Sequence, residues 1–390
     1  MKIEFVEGNR IRLLETGAAY FPALLAAIDD AHLEIYLESY LFADDHTGHE
    51  VAAALARAAQ RGVSVRVMVD GFGASKFPHI FSAPLNAAGV ETLIYRPEVA
   101  RLEIRRHRLR RLHRKLVVVD GRLAFVGGIN VIDDMDTPRQ VPPRFDYAVV
   151  VEGPLVQRIH HAARHLWQLV RWASFRQRLP KPLPTPPRPA PDGNMAAALL
   201  LRDNLRHRHD IEDAYLDAIS GAQHEVVLAS AYFLPGRRFR HALALAAQRG
   251  VRVIVLLQGK VEYALLHYAT QALYGSLIAA GVRIVEYRRS FLHAKVAVVD
   301  QDWATVGSSN IDPFSLMLAR EANVVVRHAG FARELRASLE QAMARGGIEV
   351  KLEDLKKRSL LVRIANWLAY SMVRLAVGFA GYGASKEFGA

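Results

Sequence analysis

Two nine-residue stretches, "LHRKLVVVD" at 112–120 and "LHAKVAVVD" at 292–300, each set a His and a Lys two positions apart, before an apolar, β-branched run. Residues two apart on a strand project from one face. His113 with Lys115, and His293 with Lys295, therefore present jointly to one environment. The match continues at fixed offsets: Gly127 and Gly307 fall 14 residues after their His, and Asn130 and Asn310 fall 17 after. Two imidazoles, two ammonium groups and two amides drawn together make a cationic, donor-rich pocket suited to a phosphodiester. A single H-x-K-x4-D is a weak signal whose ordinary meaning is a solvated strand end. Two copies at equivalent places in a repeat are a strong one.

The chemistry follows from the residue types. One neutral imidazole attacks phosphorus while the other, as imidazolium, protonates the departing alkoxide. A phosphohistidine results, and a second alcohol then runs the roles backwards. An imidazole pKa of about 6.5 makes both protonation states accessible near neutrality. Lys115, Lys295, Asn130 and Asn310 would stabilise the pentacoordinate phosphorus, so the scheme calls for neither metal nor cofactor.

Asp120 and Asp300 complete each motif, but their parity is opposite and they sit at the strand's end. An anchoring or turn role fits them better, with Asp120-Gly121 a tight turn. Each imidazole also needs an acceptor on its far nitrogen to fix tautomer and orientation. The repeat nominates Asp146 in "FDYAVVV" and Glu321 in "REANVVV". Counted within each half, Asp146 lies five residues further from its His than Glu321 does, after the insertion "TPRQVPPR". The competing reading of both acids is a helix cap or a surface salt bridge.

These residues need a scaffold that repeats. "AIDDAHLEIYLESYLF" (27–42) matches "AISGAQHEVVLASAYF" (218–233), "AAQRGVSVRVMVDG" (58–71) matches "AAQRGVRVIVLLQG" (246–259), and "NAAGVETLIY" (86–95) matches "IAAGVRIVEY" (278–287). Gly62 and Gly250 read as helix stops before apolar strands. Alternating helix and strand predicts an α/β fold, with a sheet flanked by helices in each half. The expected organisation is a first domain at 1–178, a linker at 179–194 holding seven prolines, a second domain at 195–350, and a tail at 351–390.

Lys and Arg outnumber Asp and Glu by 51 to 39, a net charge of +12. That balance favours a polyanionic partner, nucleic acid or an anionic membrane. "RLEIRRHRLRRLHRK" (101–115) packs seven Arg into the approach to the first motif, and is expected to dock an anionic surface at the site mouth. The chain has no cysteine, which excludes disulfides, thiolate metal sites and cysteine nucleophiles.

"HRKLVVVD…GGIN" and "HAKVAVVD…GSSN" resemble the paired HKD motifs of the phospholipase D superfamily, over nearly the whole chain. "WATVGSSNIDP…REANV", "IRLLETG" and "ESYLFADDHTG" resemble, within it, the type B bacterial cardiolipin synthases. The resemblance implies two mixed-sheet domains about a pseudo-twofold axis with one active site between them, built on His113, Lys115, Asp120, His293, Lys295 and Asp300. It also implies His113 as nucleophile and His293 as acid and base. The implied activity is a phosphatidyltransferase that joins two phosphatidylglycerols into cardiolipin and releases glycerol. The alternatives are a phospholipase or nuclease on the same scaffold, or a non-catalytic membrane-binding protein. Glu38, opposite Ala229 in the repeat, breaks the symmetry; it either binds headgroup hydroxyls or pairs with an arginine.

The tail weighs lipid against nucleic acid. "SLLVRIANWLAYSMVRLAVGFAGYG" (359–383) is apolar except for Ser359, Arg363, Asn366, Tyr370 and Arg374 at steps of three or four, which form one polar stripe. With Lys356, Lys357 and Arg358 before it, the segment reads as an in-plane membrane helix with an electrostatic anchor. The competing arrangement packs it on the second domain with its polar side out. The expected setting is the bacterial inner membrane, peripherally at its cytoplasmic face, with anionic phospholipid as partner and nucleic acid disfavoured.

Overall fold

The computed structural model describes residues 3–96, 111–137, 141–174, 190, 192–203, 207–312 and 319–377. Most of the basic run at 101–115 and of the proline-rich linker lies outside the described residues. The first half runs β1 (Val6–Glu15), β2 (Glu34–Ser39), β3 (Ser64–Asp70), β4 (Glu91–Tyr95), β5 (Arg111–Leu112), β6 (Lys115–Val119), β7 (Leu123–Gly127) and β8 (Tyr147–Glu152). The second runs β9 (Met195–Arg202), β10 (Glu225–Ser230), β11 (Arg252–Gln258), β12 (Arg283–Tyr287), β13 (Lys295–Val299), β14 (Trp303–Gly307), β15 (Ala319–Arg327) and β16 (Gly347–Glu349).

The repeat in the sequence is a repeat in the sheet. Hydrogen-bonded order is β1-β8-β7-β6-β2-β3-β4 in one half and β9-β15-β14-β13-β10-β11-β12 in the other, with β16 added at that outer edge. β2, β3 and β4 run parallel, as do β10, β11 and β12, while β6 and β13 join them antiparallel. The two halves meet where β1 pairs with β9, so one mixed sheet crosses the molecule.

Both faces of that sheet are covered, which is why Leu116–Val119 of β6 and Leu123–Gly127 of β7 are apolar in succession rather than alternately. Val117 and Val119 of β6 enter a core with the helices Thr16–Asp29 and His46–Gln60. Leu116 and Val118, on the opposite face, enter a second core with the helices Leu155–Ala173 and Ala329–Gly346. That second core also contains Val227, Val296 and Val298 of the other half. The halves are therefore joined by a shared interior as well as by strand pairing.

The tail helix, Leu360–Val377, lies on the helix Ala264–Ala279 by way of the middle of its stripe, Asn366 and Tyr370, while Ser359, Arg363 and Arg374 are exposed. Asn366, Ala369 and Val373 are buried, and Asn366 and Arg358 both donate to the Gln271 side-chain oxygen. Leu361, Trp367 and Leu375 stand 78%, 63% and 63% exposed on the outer side. The helix is thus packed on the second domain with Asn366 inward, and it exposes large apolar residues alongside Arg363 and Arg374. Among the described residues, no helix is long and apolar enough to cross a membrane.

Candidate active site

The residues just before each motif histidine do not pair within their own half. Leu112 of β5 pairs with Arg320 at the head of β15, and Leu292 bridges to Phe145 just before β8. The His113 amide then donates to the Arg320 carbonyl at 3.0 Å, and the His293 amide to the Phe145 carbonyl at 2.8 Å. Each histidine is pinned against the neighbouring half at the residue preceding that half's acid. The consequence is a crossed arrangement. His113 Nδ1 meets Glu321 at 2.9 Å, and His293 Nδ1 meets Asp146 at 2.6 Å. The offsets within each half nominate the right acids, but the structure gives each acid to the other half's histidine.

The lysines fold back on their own strands. Lys115 Nζ donates to the His113 carbonyl at 2.8 Å, and Lys295 Nζ donates to the His293 carbonyl and lies 3.6 Å from Asp146. Four charged groups thus share one water-poor centre, with Lys115, Lys295, Asp146 and Glu321 all buried. Burial pulls the Lys115 ammonium down to about 7, with Lys295 adding repulsion and Glu321 and Asp146 opposing. Burial likewise lowers Lys295. It depresses His293 to about 3, with Lys295 contributing, so that imidazole is neutral until an anion arrives. Burial would raise Asp146, but Lys295 and His293 outweigh it and its pKa is lowered.

Asn130 and Asn310 flank this centre in buried loops. Their amide oxygens accept the Leu41 and Tyr232 backbone N–H groups at 3.1 and 3.5 Å, which ties each loop to the strand beside the histidine. Asp120 and Asp300 are elsewhere. Each sits at the far end of its strand in a left-handed conformation, with φ of 52° and 50°. Asp120 accepts from the amides of His32, Leu33 and Glu34, and Asp300 from those of Gln223, His224 and Glu225. Grouping them with the reacting residues is therefore corrected: they clamp the entry to β2 and β10.

Of the two readings of Glu38, the structure takes the pairing with an arginine. Arg114 Nε and Nη2 donate to its two oxygens, both at 2.7 Å, and both side chains are buried. This bidentate pair engages both carboxylate oxygens with Arg114 rather than presenting them to headgroup hydroxyls. Its pKa is still raised, burial outweighing Arg114. The sequence held the missing half of this reading: the repeat replaces Glu38 by Ala229 and Arg114 by Ala294, so the pair is lost together.

Three contributors were not singled out from the sequence. Ser308 Oγ donates to Glu321 at 2.5 Å and fixes the carboxylate behind His113. Its counterpart is Gly128, where an added Cβ would come within 2.4 Å of Asp146. The two acids are thus seated differently, Glu321 on a hydroxyl and Asp146 against bare backbone. Tyr40 packs on the His113 ring at 4.9 Å between centroids and lies under the Lys115 ammonium. Comparing the copies position by position exposes both differences, since Tyr40 faces Ala231 in the repeat.

A family model described as "Cardiolipin synthase, PLD-like domain" matches residues 24–167 and again 215–343. Cardiolipin synthase B of Shigella flexneri is 39% identical over 98% of this chain and 92% of its own length, as is that of Escherichia coli K12. Cardiolipin synthase A of Pseudomonas putida is 32% identical over 89% of this chain and 70% of its own. Among solved structures, a phosphatidylserine synthase from Haemophilus influenzae superposes with a TM-score of 0.66, covering 97% of this chain and 96% of that one. At 14% identity that likeness is one of fold. Matched twice by that family model, and alongside relatives covered along nearly their whole length, the chain belongs to the phospholipase D-like family, in its cardiolipin synthase branch.

Proposed function

We propose that this phosphatidyltransferase takes a phosphatidyl group from one phosphatidylglycerol, holds it as a phosphohistidine, and passes it to the glycerol hydroxyl of a second, giving cardiolipin. The observation that carries the reading is the pair of crossed His–carboxylate contacts enclosing two buried lysines. Each carboxylate holds its imidazole by Nδ1, which directs Nε2 to the reacting phosphorus. Following the family resemblance, His113 attacks and His293 protonates the departing glycerol oxygen. His293 is neutral beforehand, and the charge of an arriving phosphodiester restores its affinity for the proton it must give. The P–O bond to glycerol breaks as the P–Nε2 bond forms. The second phosphatidylglycerol then gives its hydroxyl proton to His293, and its oxygen displaces His113. One phosphodiester replaces another, so no nucleotide is consumed.

Lys115 and Lys295 neutralise the charge that builds on the equatorial phosphoryl oxygens, where a water-poor setting strengthens each contact. Asn130 and Asn310 hold the flanking loops and offer amide donors to the same group. The exposed apolar residues of the helix Leu360–Val377 are proposed to lie in the surface of an anionic membrane, with Lys356 and Lys357 before its start reaching headgroups. The donor lipid would then reach the site without leaving the interface.

The test is incubation of the purified protein with phosphatidylglycerol vesicles, followed by lipid and glycerol analysis. Cardiolipin with one glycerol per molecule formed is the expected result. Phosphatidic acid alone would make the protein a hydrolase, and DNA cleavage without lipid turnover would overturn the reading.

A further inference from the structure

The site is nearly symmetric, and one cation breaks the symmetry beside His293. Arg144 ends the insertion "TPRQVPPR" of the first half, and Ala319 stands at its place in the second. Its position is fixed by register. The bridge between Phe145 and Leu292 places residues 144 and 146 alongside 291 and 293. Asp146 meets His293, and Arg144 meets Phe291 in the same way, its guanidinium 5.2 Å from the ring centroid. Phe291 in turn lies 6.2 Å from the His293 ring. The guanidinium is thus carried on an aromatic shelf one step out from the histidine, half-buried at the side of the reacting centre.

Beyond the Phe291 ring, the Arg144 guanidinium is not closed by a carboxylate of the fold. Its Nε is buried without a hydrogen-bond partner, and it forms none of the ion pairs among the described residues. Asp134 and Glu262 feel its charge but do not close on it. Arg114, by contrast, is saturated by Glu38. A fork of five donors held on a ring beside a phosphoryl-transfer centre is a site for a second oxyanion.

We propose that Arg144 binds the non-reacting phosphodiester of the acceptor, so that the site selects an alcohol that already carries a phosphate. This rests on the reading of the protein as a cardiolipin-forming transferase. Joining two phosphatidylglycerols brings two phosphodiesters together, separated by a three-carbon bridge. The lysines and histidines serve the one that reacts. The other needs its own counter-charge, on the side from which the acceptor hydroxyl approaches, and His293 is the base for that hydroxyl. Water and free glycerol carry no such group and gain nothing from Arg144.

The experiment compares wild type, Arg144→Gln and Arg144→Lys on the same phosphatidylglycerol vesicles, in two assays run side by side. One measures cardiolipin formation. The other measures exchange of labelled glycerol into phosphatidylglycerol, in which the acceptor has no phosphate. Losing a charge-assisted contact is expected to lower the ratio of cardiolipin formation to glycerol exchange about 10- to 100-fold in Arg144→Gln, with partial recovery in Arg144→Lys. A ratio unchanged in Arg144→Gln, whether both activities fall together or neither does, overturns the assignment. Wild type that exchanges glycerol without forming cardiolipin would instead overturn the functional reading beneath it.

Discussion

Glu321 belongs to the second half of the chain and holds the histidine of the first, its Oε2 3.0 Å from His113 Nδ1 and accepting from Ser308 Oγ as well. The reciprocal contact, Asp146 on His293, has no hydroxyl behind it. One carboxylate is therefore seated by a side-chain hydroxyl, and the other by the Tyr147 backbone N–H next to Lys295.

Replacing Glu321 by Gln keeps the shape and removes the charge that selects the Nδ1–H tautomer. Cardiolipin formation is expected to fall on the order of 10²-fold or more. Ser308→Ala should cost much less, on the order of 10-fold, because the carboxylate stays. Turnover of Glu321→Gln near wild type, in a protein that melts normally, would remove the orienting role.

Glu38 and Arg114 predict a cycle rather than a single effect. Glu38→Ala leaves a buried guanidinium unpaired and is expected to cost about 3–5 kcal/mol in denaturant unfolding. The double replacement Glu38→Ala with Arg114→Ala reproduces the second half, which has Ala229 and Ala294 there. It should be clearly more stable than either single variant. Additive losses would contradict the pairing.

Binding of an anion at the centre should take up protons. Lys115 titrates at about 7, because burial disfavours its charged form, so at about pH 8 most of it is neutral. An anion beside it raises that value, and the complex then holds more protons than the free protein. Tungstate carries no proton of its own in this range. Calorimetry in two buffers of different ionisation enthalpy should show net proton uptake near pH 8, where Lys115 is mostly neutral in the free protein. Equal heats in both buffers at pH 8 would rule out the depressed lysine.

The outward face of the tail helix predicts membrane partition. Leu361→Glu with Trp367→Glu leaves the buried side at Asn366, Ala369 and Val373 untouched. Binding to anionic vesicles should weaken on the order of ten-fold or more in sedimentation, while the melting temperature stays unchanged. Unaltered partition would mean that this face is not the membrane contact.

What the sequence made legible was whatever the duplication displayed twice. The His–Lys parity, the loops with Asn130 and Asn310, and the acids Asp146 and Glu321 all surfaced because two copies agreed. The crossing did not, since an offset counts residues along the chain and is blind to which half a strand end leans against. Arg144 was hidden because its counterpart is Ala319, so no second copy repeats it. Glu38 was half read: Ala229 was noticed, but the matching change from Arg114 to Ala294 was needed to name its partner. In the tail, periodicity gives a polar stripe but not which residues a neighbouring helix covers, and here Asn366 turns inward to Gln271 while Arg363 and Arg374 stay exposed.

The exchange of acids across the joint has a consequence for what the smallest working unit is. A chain carrying one half alone would own a histidine without its carboxylate and a carboxylate without its histidine. It could complete the centre only by meeting a copy of itself, each supplying what the other lacks. In such a twin both partners must be identical, so every improvement on one side is imposed on the other. Tethering the halves in one polypeptide lifts that constraint, which is how Glu beside Ser308 and Asp beside Gly128 can stand on opposite sides of one reaction.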